Sequence, residues 1–191
     1  MISGAEITTA LRGTVRLARF DAGGLALFDN TARGFWNSFF TAVLLMPGMI
    51  WLSFVASDDA VIASIPAIRL YAILLIHYVI QWTVFPLVMS TVTQAMGRDH
   101  RFVPFVVAYN WSRVVPNTLL ILLLAIAGPG ALEAAPSLLI MGYAMIFTWF
   151  VIRKALDVSG WAAAGIFLLN GIIELFLFSI ALALLQAPGA A

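Results

Sequence analysis

The chain has 191 residues, of which 63% are hydrophobic and 10% charged, with a mean hydropathy of +1.03 and a formal net charge of +1. A soluble domain carries about a quarter charged residues, so a water-exposed surface is excluded over most of this sequence, and the length fits one helical bundle in lipid. The absence of cysteine excludes disulfides, thiolate metal sites and cysteine nucleophiles.

Residues 1–34 form an N-terminal arm. Arg12, Arg16, Arg19 and Arg33 are scattered through it and no apolar run follows its start, so no cleaved signal is expected. At about 100° per residue, Ile7, Leu11, Val15 and Ala18 share one face over residues 5–20. Arg12, Arg16 and Arg19 share the adjoining face. The pattern predicts an amphipathic helix lying in the cytoplasmic interface, with these arginines and Arg33 at anionic lipid headgroups. The alternative is a helix packed on a partner or on the inner face of the bundle itself. Asp21-Ala22-Gly23-Gly24 breaks the helix, Leu25 to Phe28 forms a second short apolar piece, and Asn30 or Thr31 is placed to cap the first span.

A helix needs about 20 largely apolar residues to cross a hydrocarbon layer of about 30 Å. Five windows qualify, at residues 35–56, 66–95, 102–127, 136–152 and 160–185, giving a five-helix transmembrane domain over 35–186. Residues 187–191 are a short tail. The links are Ser57-Asp58-Asp59, Gly97-Arg98-Asp99-His100-Arg101, Gly128-Pro129-Gly130 and Arg153-Lys154-Ala155-Leu156-Asp157. Placing the N-terminus in the cytoplasm puts 8 of the 10 basic residues inside: Arg12, Arg16, Arg19, Arg33, Arg98, Arg101, Arg153 and Lys154. Arg69 is left outside, beside Asp58, Asp59 and Glu133, and Arg113 lies within a span. The positive-inside preference therefore sets the orientation, and an odd number of spans puts the C-terminus on the opposite side. Phe35, Trp36, Trp51, Trp149 and Trp161 fall at the expected boundaries, where an indole buries its ring and keeps its N–H wet.

Ionisable residues at membrane depth need a partner or a function. Asn110, Arg113 and Asn117 lie three and four apart in the third span, Asn170 and Glu174 four apart in the fifth, and His77 and Gln81 four apart in the second. Each set would share a helix face. At 1.5 Å per residue, Arg113 and His77 lie about 16 Å deep and Glu174 about 21 Å deep, near the middle of the layer. The expectation is that Arg113 and Glu174 face each other inside the bundle and cancel their charges, with the amides and His77 taking the remaining hydrogen bonds. Two roles compete for the cluster. It is either polar glue that fixes helix register, or a site for a substrate, an ion or a proton. Pro47-Gly48, Pro86, Pro104 and Pro116 are read as kinks, and Gly160, Ala164 and Gly165 as small residues that let another helix approach.

No phosphate-binding glycine loop, HExxH or GxSxG occurs. Asp58-Asp59 lacks the further ligands a hard cation wants, so neither metal nor cofactor is expected. No basic surface with interleaved aromatics points to nucleic acid. Arg98-Asp99-His100-Arg101 reads as a headgroup anchor. The five spans after a cytoplasmic arm, carried by FWNSFFTAVLLMPGMIWL, FVPFVVAYNWSRVVPNTLL and the Ala/Gly-rich start of the fifth span, resemble the Yip1-like membrane proteins. That resemblance implies a non-enzymatic role in membrane organisation or trafficking. The function expected is a non-catalytic accessory or scaffold protein of a bacterial-type inner membrane, whose partners are the bilayer and other membrane subunits or further copies of itself. The alternative is a small transporter or channel built on Arg113, Glu174 and His77.

Overall fold

A computed structural model describes residues 2–55 and 65–187. The Ser57-Asp58-Asp59 link and tail residues 188–191 lie outside the described residues, as does the side chain of Glu133. The described residues form an all-α bundle with no strand. Its helices are α1 (Gly4–Ala18), α2 (Ala32–Ser38), α3 (Phe40–Val55), α4 (Ala67–Ala95), α5 (Phe102–Ser112), α6 (Val114–Ala127), α7 (Ala135–Leu156) and α8 (Gly160–Gln186).

Five helical stretches among the described residues are long and apolar enough to cross a membrane: Ala32–Val55, Ala67–Ala95, Asp99–Ala127, Ala135–Leu156 and Gly160–Gln186. The protein is a multi-pass membrane bundle. These stretches follow the hydropathy windows closely. The fourth runs past residue 152 because Arg153 and Lys154 sit in the last turn of α7, where cations complement the carbonyl end of a helix. Asp157, in the left-handed conformation at φ 53°, stops it. α2 and α3 make one span with an irregular residue at Phe39, and Thr31 is its cap, accepting from the Gly34 N–H at 3.1 Å.

The third span is two helices. α5 has 11 residues and α6 has 14, about 16 and 21 Å long at 1.5 Å per residue. They part at Arg113. Pro116 explains the break, since it has no N–H for the Ser112 carbonyl and its ring crowds that group. The Asn117 side chain donates to the Arg113 carbonyl at 2.7 Å and closes the joint. Pro104 lies in the first turn of α5, where a missing donor costs little. Pro47 and Pro86 sit inside α3 and α4 without ending either helix.

Every residue from Phe105 to Ser112 is buried. α5 is the central helix, with α1, α2, α4 and α7 packed around it. The main core gathers here, at the end of the bundle that carries Arg98, Arg101 and Arg153. It joins Phe85 and Met89 of α4 to Phe147, Val151 and Ile152 of α7, and to Ala163 and Ile166 at the start of α8. Lipid is as apolar as leucine, so close van der Waals packing and hydrogen bonds hold these spans together more than any gain from excluding water. Gly48 illustrates the closeness. A Cβ there would lie 2.5 Å from Ile121 Cδ1, so α3 and α6 approach closely enough that the Ile121 side chain would have to shift to admit one.

The same end is laced by polar contacts. Arg98 Nη1 donates to the Leu156 carbonyl at 2.8 Å, and both Arg98 and Arg101 reach Asp157, at 3.6 and 3.7 Å. The basic link after α4 is thus clipped to the end of α7 rather than left facing headgroups. At the other end Arg69 donates to the carbonyls of Leu184 and Ala187, both at 2.6 Å, and caps α8.

The arm is docked on the bundle. α1 opens with a capping box in which the Glu6 N–H donates to Ser3 Oγ and the Ser3 N–H to Glu6 Oε2. Its buried residues are Ala10, Gly13, Thr14 and Leu17, whereas Val15 is 47% exposed. Ile7, Leu11 and Ala18 of the expected stripe are partly buried against the main core and Val15 is its exposed member, so the docked face is that stripe turned toward Ala10, Thr14 and Leu17. Thr14 Oγ1 lies 3.5 Å from the Trp111 carbonyl, a contact that a hydrophobicity pattern does not weigh, and Gly13 faces Gly24 and Leu27 of the segment that follows the helix. Past α1, Phe20 packs edge-on against Tyr143, Phe147 and Phe150, and the Tyr143 hydroxyl donates to the Ala18 carbonyl at 2.8 Å.

Candidate functional site: a polar cavity lined by all five spans

A cavity of about 330 Å³ lies between the spans. α3 contributes Met49, α4 Gln81, α5 Tyr109 and Ser112, α6 Asn117, α7 Thr148, and α8 Asn170 and Glu174; Arg113 enters from the joint between α5 and α6. A water occupies roughly 30 Å³ in the liquid, so the space equals roughly ten waters. Its lining holds one cation, one anion and several amides and hydroxyls at the depth where the surrounding surface is apolar.

Arg113 and Glu174 share the cavity, as the spacing suggests, but they do not form an ion pair. The ion pairs among the described residues are Arg16–Asp21, Arg33–Glu6 and the two made by Asp157. The Arg113 guanidinium instead lies 4.0 Å over the Trp82 ring and 5.9 Å from the centre of the Tyr109 ring. A cation–π contact of this kind is worth about 0.5–2 kcal/mol, rising with desolvation. It engages the face of the guanidinium and leaves its N–H edge without a protein acceptor among the described residues. Glu174 has neither a hydrogen-bond donor nor a cation bonded to it among them.

The other expected members divide. Gln81, Asn117 and Asn170 line the cavity. Asn170 is buried and its Oδ1 accepts from the Tyr109 hydroxyl at 2.9 Å. Asn110 does not belong to the cavity. It is fully buried against α2, where its Nδ2 donates to Ser38 Oγ at 2.9 Å. Asn110 leaves the predicted stripe of Asn110, Arg113 and Asn117 because its side chain is taken up by Ser38 of α2. His77 lies outside the lining as well, half-buried on α4 and near enough to Glu174 to sense its charge.

Tyr109 and Trp82 are the residues that the polar pattern missed. Tyr109 precedes Arg113 by four positions and Trp82 follows Gln81 by one, so both were available as aromatic neighbours of the polar stripes. No group of three His, Cys, Asp or Glu side chains among the described residues could hold a metal ion.

The arginines assigned to headgroups also divide. Arg16 pairs with Asp21 at 2.6 Å and Arg33 with Glu6 at 2.9 Å. Arg12 and Arg19 are exposed with no such partner among the described residues. The acids respond accordingly. Glu6 is held below its ordinary value of 4.5, first by hydrogen bonds from Ser3 and then by Arg33. Asp21 is lowered chiefly by the Arg16 hydrogen bond, and Asp29 chiefly by Thr31.

No protein-family model matches this sequence, and neither a curated protein nor a solved structure matches it.

Proposed function

We propose that this protein binds a small polar solute in its mid-depth cavity and belongs to the transporter or channel class, in a bacterial-type inner membrane with the N-terminus in the cytoplasm. One observation carries the reading: Arg113 and Glu174 open onto one cavity and do not neutralise each other. Structural glue would have closed them into a pair, because a lone buried charge is the expensive state. Opening onto one space of about 330 Å³ without an ion pair, they provide the ionisable lining that marks a solute path. The orientation rests on the basic residues gathered at the end that holds Arg98, Arg101, Arg153 and Lys154. Arg12 and Arg19 supply cations for anionic headgroups on the same side.

Osmotic swelling of proteoliposomes in a panel of small polar solutes tests the proposal. Wild-type vesicles should swell faster than empty ones with at least one solute, and Glu174→Gln should remove the difference. Equal rates for wild-type and empty vesicles across the panel would refute it.

A second reading is an accessory or scaffold subunit, in keeping with the Yip1-like resemblance. It is favoured by α8, the most exposed of the five spans, whose Leu168, Ile172, Leu175 and Phe176 are all more than 60% exposed. A membrane partner that co-purifies stoichiometrically and is lost when these positions are changed would support it.

A further inference from the structure

We infer that the ligand of the cavity is a small zwitterion, one that carries a carboxylate and an ammonium on a short carbon chain. The inference rests on the solute-binding proposal above and narrows it to a chemical class.

Charge balance comes first. The cavity holds one cation, Arg113, and one anion, Glu174, and is neutral as a whole. An anionic ligand would satisfy Arg113 and leave Glu174 uncompensated at membrane depth, and a cationic ligand would do the reverse. Either state places an unpaired charge in a medium where charges are costly. A neutral apolar ligand would expel water from both and serve neither. A zwitterion compensates both at once.

Geometry agrees. Stacking on Trp82 fixes the guanidinium through its face and leaves the planar fork of donors that matches a carboxylate. Glu174 is an acceptor without a donor, which suits an ammonium. Asn170 Oδ1 already accepts one hydrogen bond from Tyr109, and a carboxylate is the stronger acceptor for an ammonium. The two charged groups come from different elements, the joint after α5 and the middle of α8, and the cavity they line, about 330 Å³, has room for a ligand of amino-acid size.

The test uses the full-length wild-type protein in detergent, with binding measured calorimetrically. The probes are a zwitterion series (glycine, β-alanine, 4-aminobutyrate, 5-aminovalerate) and the half-ligands butyrate and butylamine. At least one zwitterion should bind about ten- to a hundred-fold more tightly than either half-ligand, the gain expected of one extra hydrogen bond to a charged group. Glu174→Gln should remove that gain and bring the zwitterion down to the affinity of butyrate. Arg113→Gln should bring it down to that of butylamine. If butyrate binds as tightly as the best zwitterion and Glu174→Gln changes neither, the site takes anions and the zwitterion inference falls while the solute-binding proposal stands. If no member of either set binds and the vesicles do not swell in any solute, both fall together. The wild-type comparison needs no variant, so a substitution that fails to fold leaves the test intact.

Discussion

The hydrogen bond from the Tyr109 hydroxyl to Asn170 Oδ1 joins the central helix to α8, and its worth can be worked out in advance. The bond is 2.9 Å long and both side chains are buried. Removing one partner of a buried hydrogen bond costs about 1–3 kcal/mol in water-soluble proteins, because the other is left unsatisfied. Two features place this case at the low end. Asn170 lines the cavity, so water can reach its freed oxygen. Side-chain hydrogen bonds between membrane helices also average only about 0.6 kcal/mol in double-mutant cycles, with a ceiling near 1.7. Tyr109→Phe should therefore destabilise the bundle by about 1 kcal/mol. Asn170→Leu should cost a similar amount, since it frees the tyrosine hydroxyl. The double variant should cost less than the sum, by about 0.6–1 kcal/mol. Reversible unfolding in mixed micelles, followed by far-ultraviolet circular dichroism, measures all four corners of the cycle. A coupling indistinguishable from zero, with both single variants destabilised, would refute the claim that this bond ties α5 to α8.

Three further outcomes are expected. Leu17 is fully buried and Val15 is 47% exposed, so Leu17→Ala should cost about 2–5 kcal/mol of arm docking and Val15→Ala less than about 0.5; hydrogen exchange across residues 4–18 distinguishes them. The capping box and the Glu6–Arg33 pair make docking of the arm pH-dependent. Glu6 is lowered from 4.5 when folded, so its contribution is fully present above that ordinary value and is lost as pH falls through the lowered one. A spin label at exposed Thr8 should stay immobile at neutral pH and gain mobility as acid protonates Glu6, below its ordinary value of 4.5; mobility that stays constant until the whole chain unfolds in acid would contradict this. Gly34 is buried with the Asp29 backbone carbonyl directly against the position of a Cβ. Gly34→Ala should consequently displace the turn before α2 and lower stability by about 1–3 kcal/mol, read from the same unfolding assay.

Much of the fold was legible in the sequence because lipid imposes a simple rule: a crossing helix must be apolar over its whole length. The five spans followed from that rule alone. The cap of the first span, read as Asn30 or Thr31 and found at Thr31, was equally local. What failed depended on neighbours. Pro116 was visible, but that Asn110 meets Ser38 rather than the cavity depends on the neighbouring α2. Ile7, Leu11 and Ala18 of the α1 stripe do pack on the core, and what the pattern missed is that Thr14 and Leu17 turn fully inward while Val15 is left exposed. Arg113 and Glu174 line one cavity as expected, yet a pairing argument based on charge alone could not foresee that the guanidinium lies over Trp82 and forms no ion pair with the carboxylate. Which helix sits beside which is not encoded in the period of any single span.

The complete burial of Phe105 to Ser112 has a consequence for the order of assembly. A growing chain delivers α5 to the bilayer before α7 and α8 exist, and α7 is one of the walls that later encloses it. Until then the lipid solvates a helix whose tyrosine lacks its Asn170 acceptor and whose joint carries a charged arginine with half its surroundings missing. The third span is therefore a provisional resident of the membrane that becomes the centrepiece only when the C-terminal hairpin arrives. A chain cut short after α6 would keep the walls supplied by α1, α2 and α4 and leave the α7 side of the central helix facing lipid.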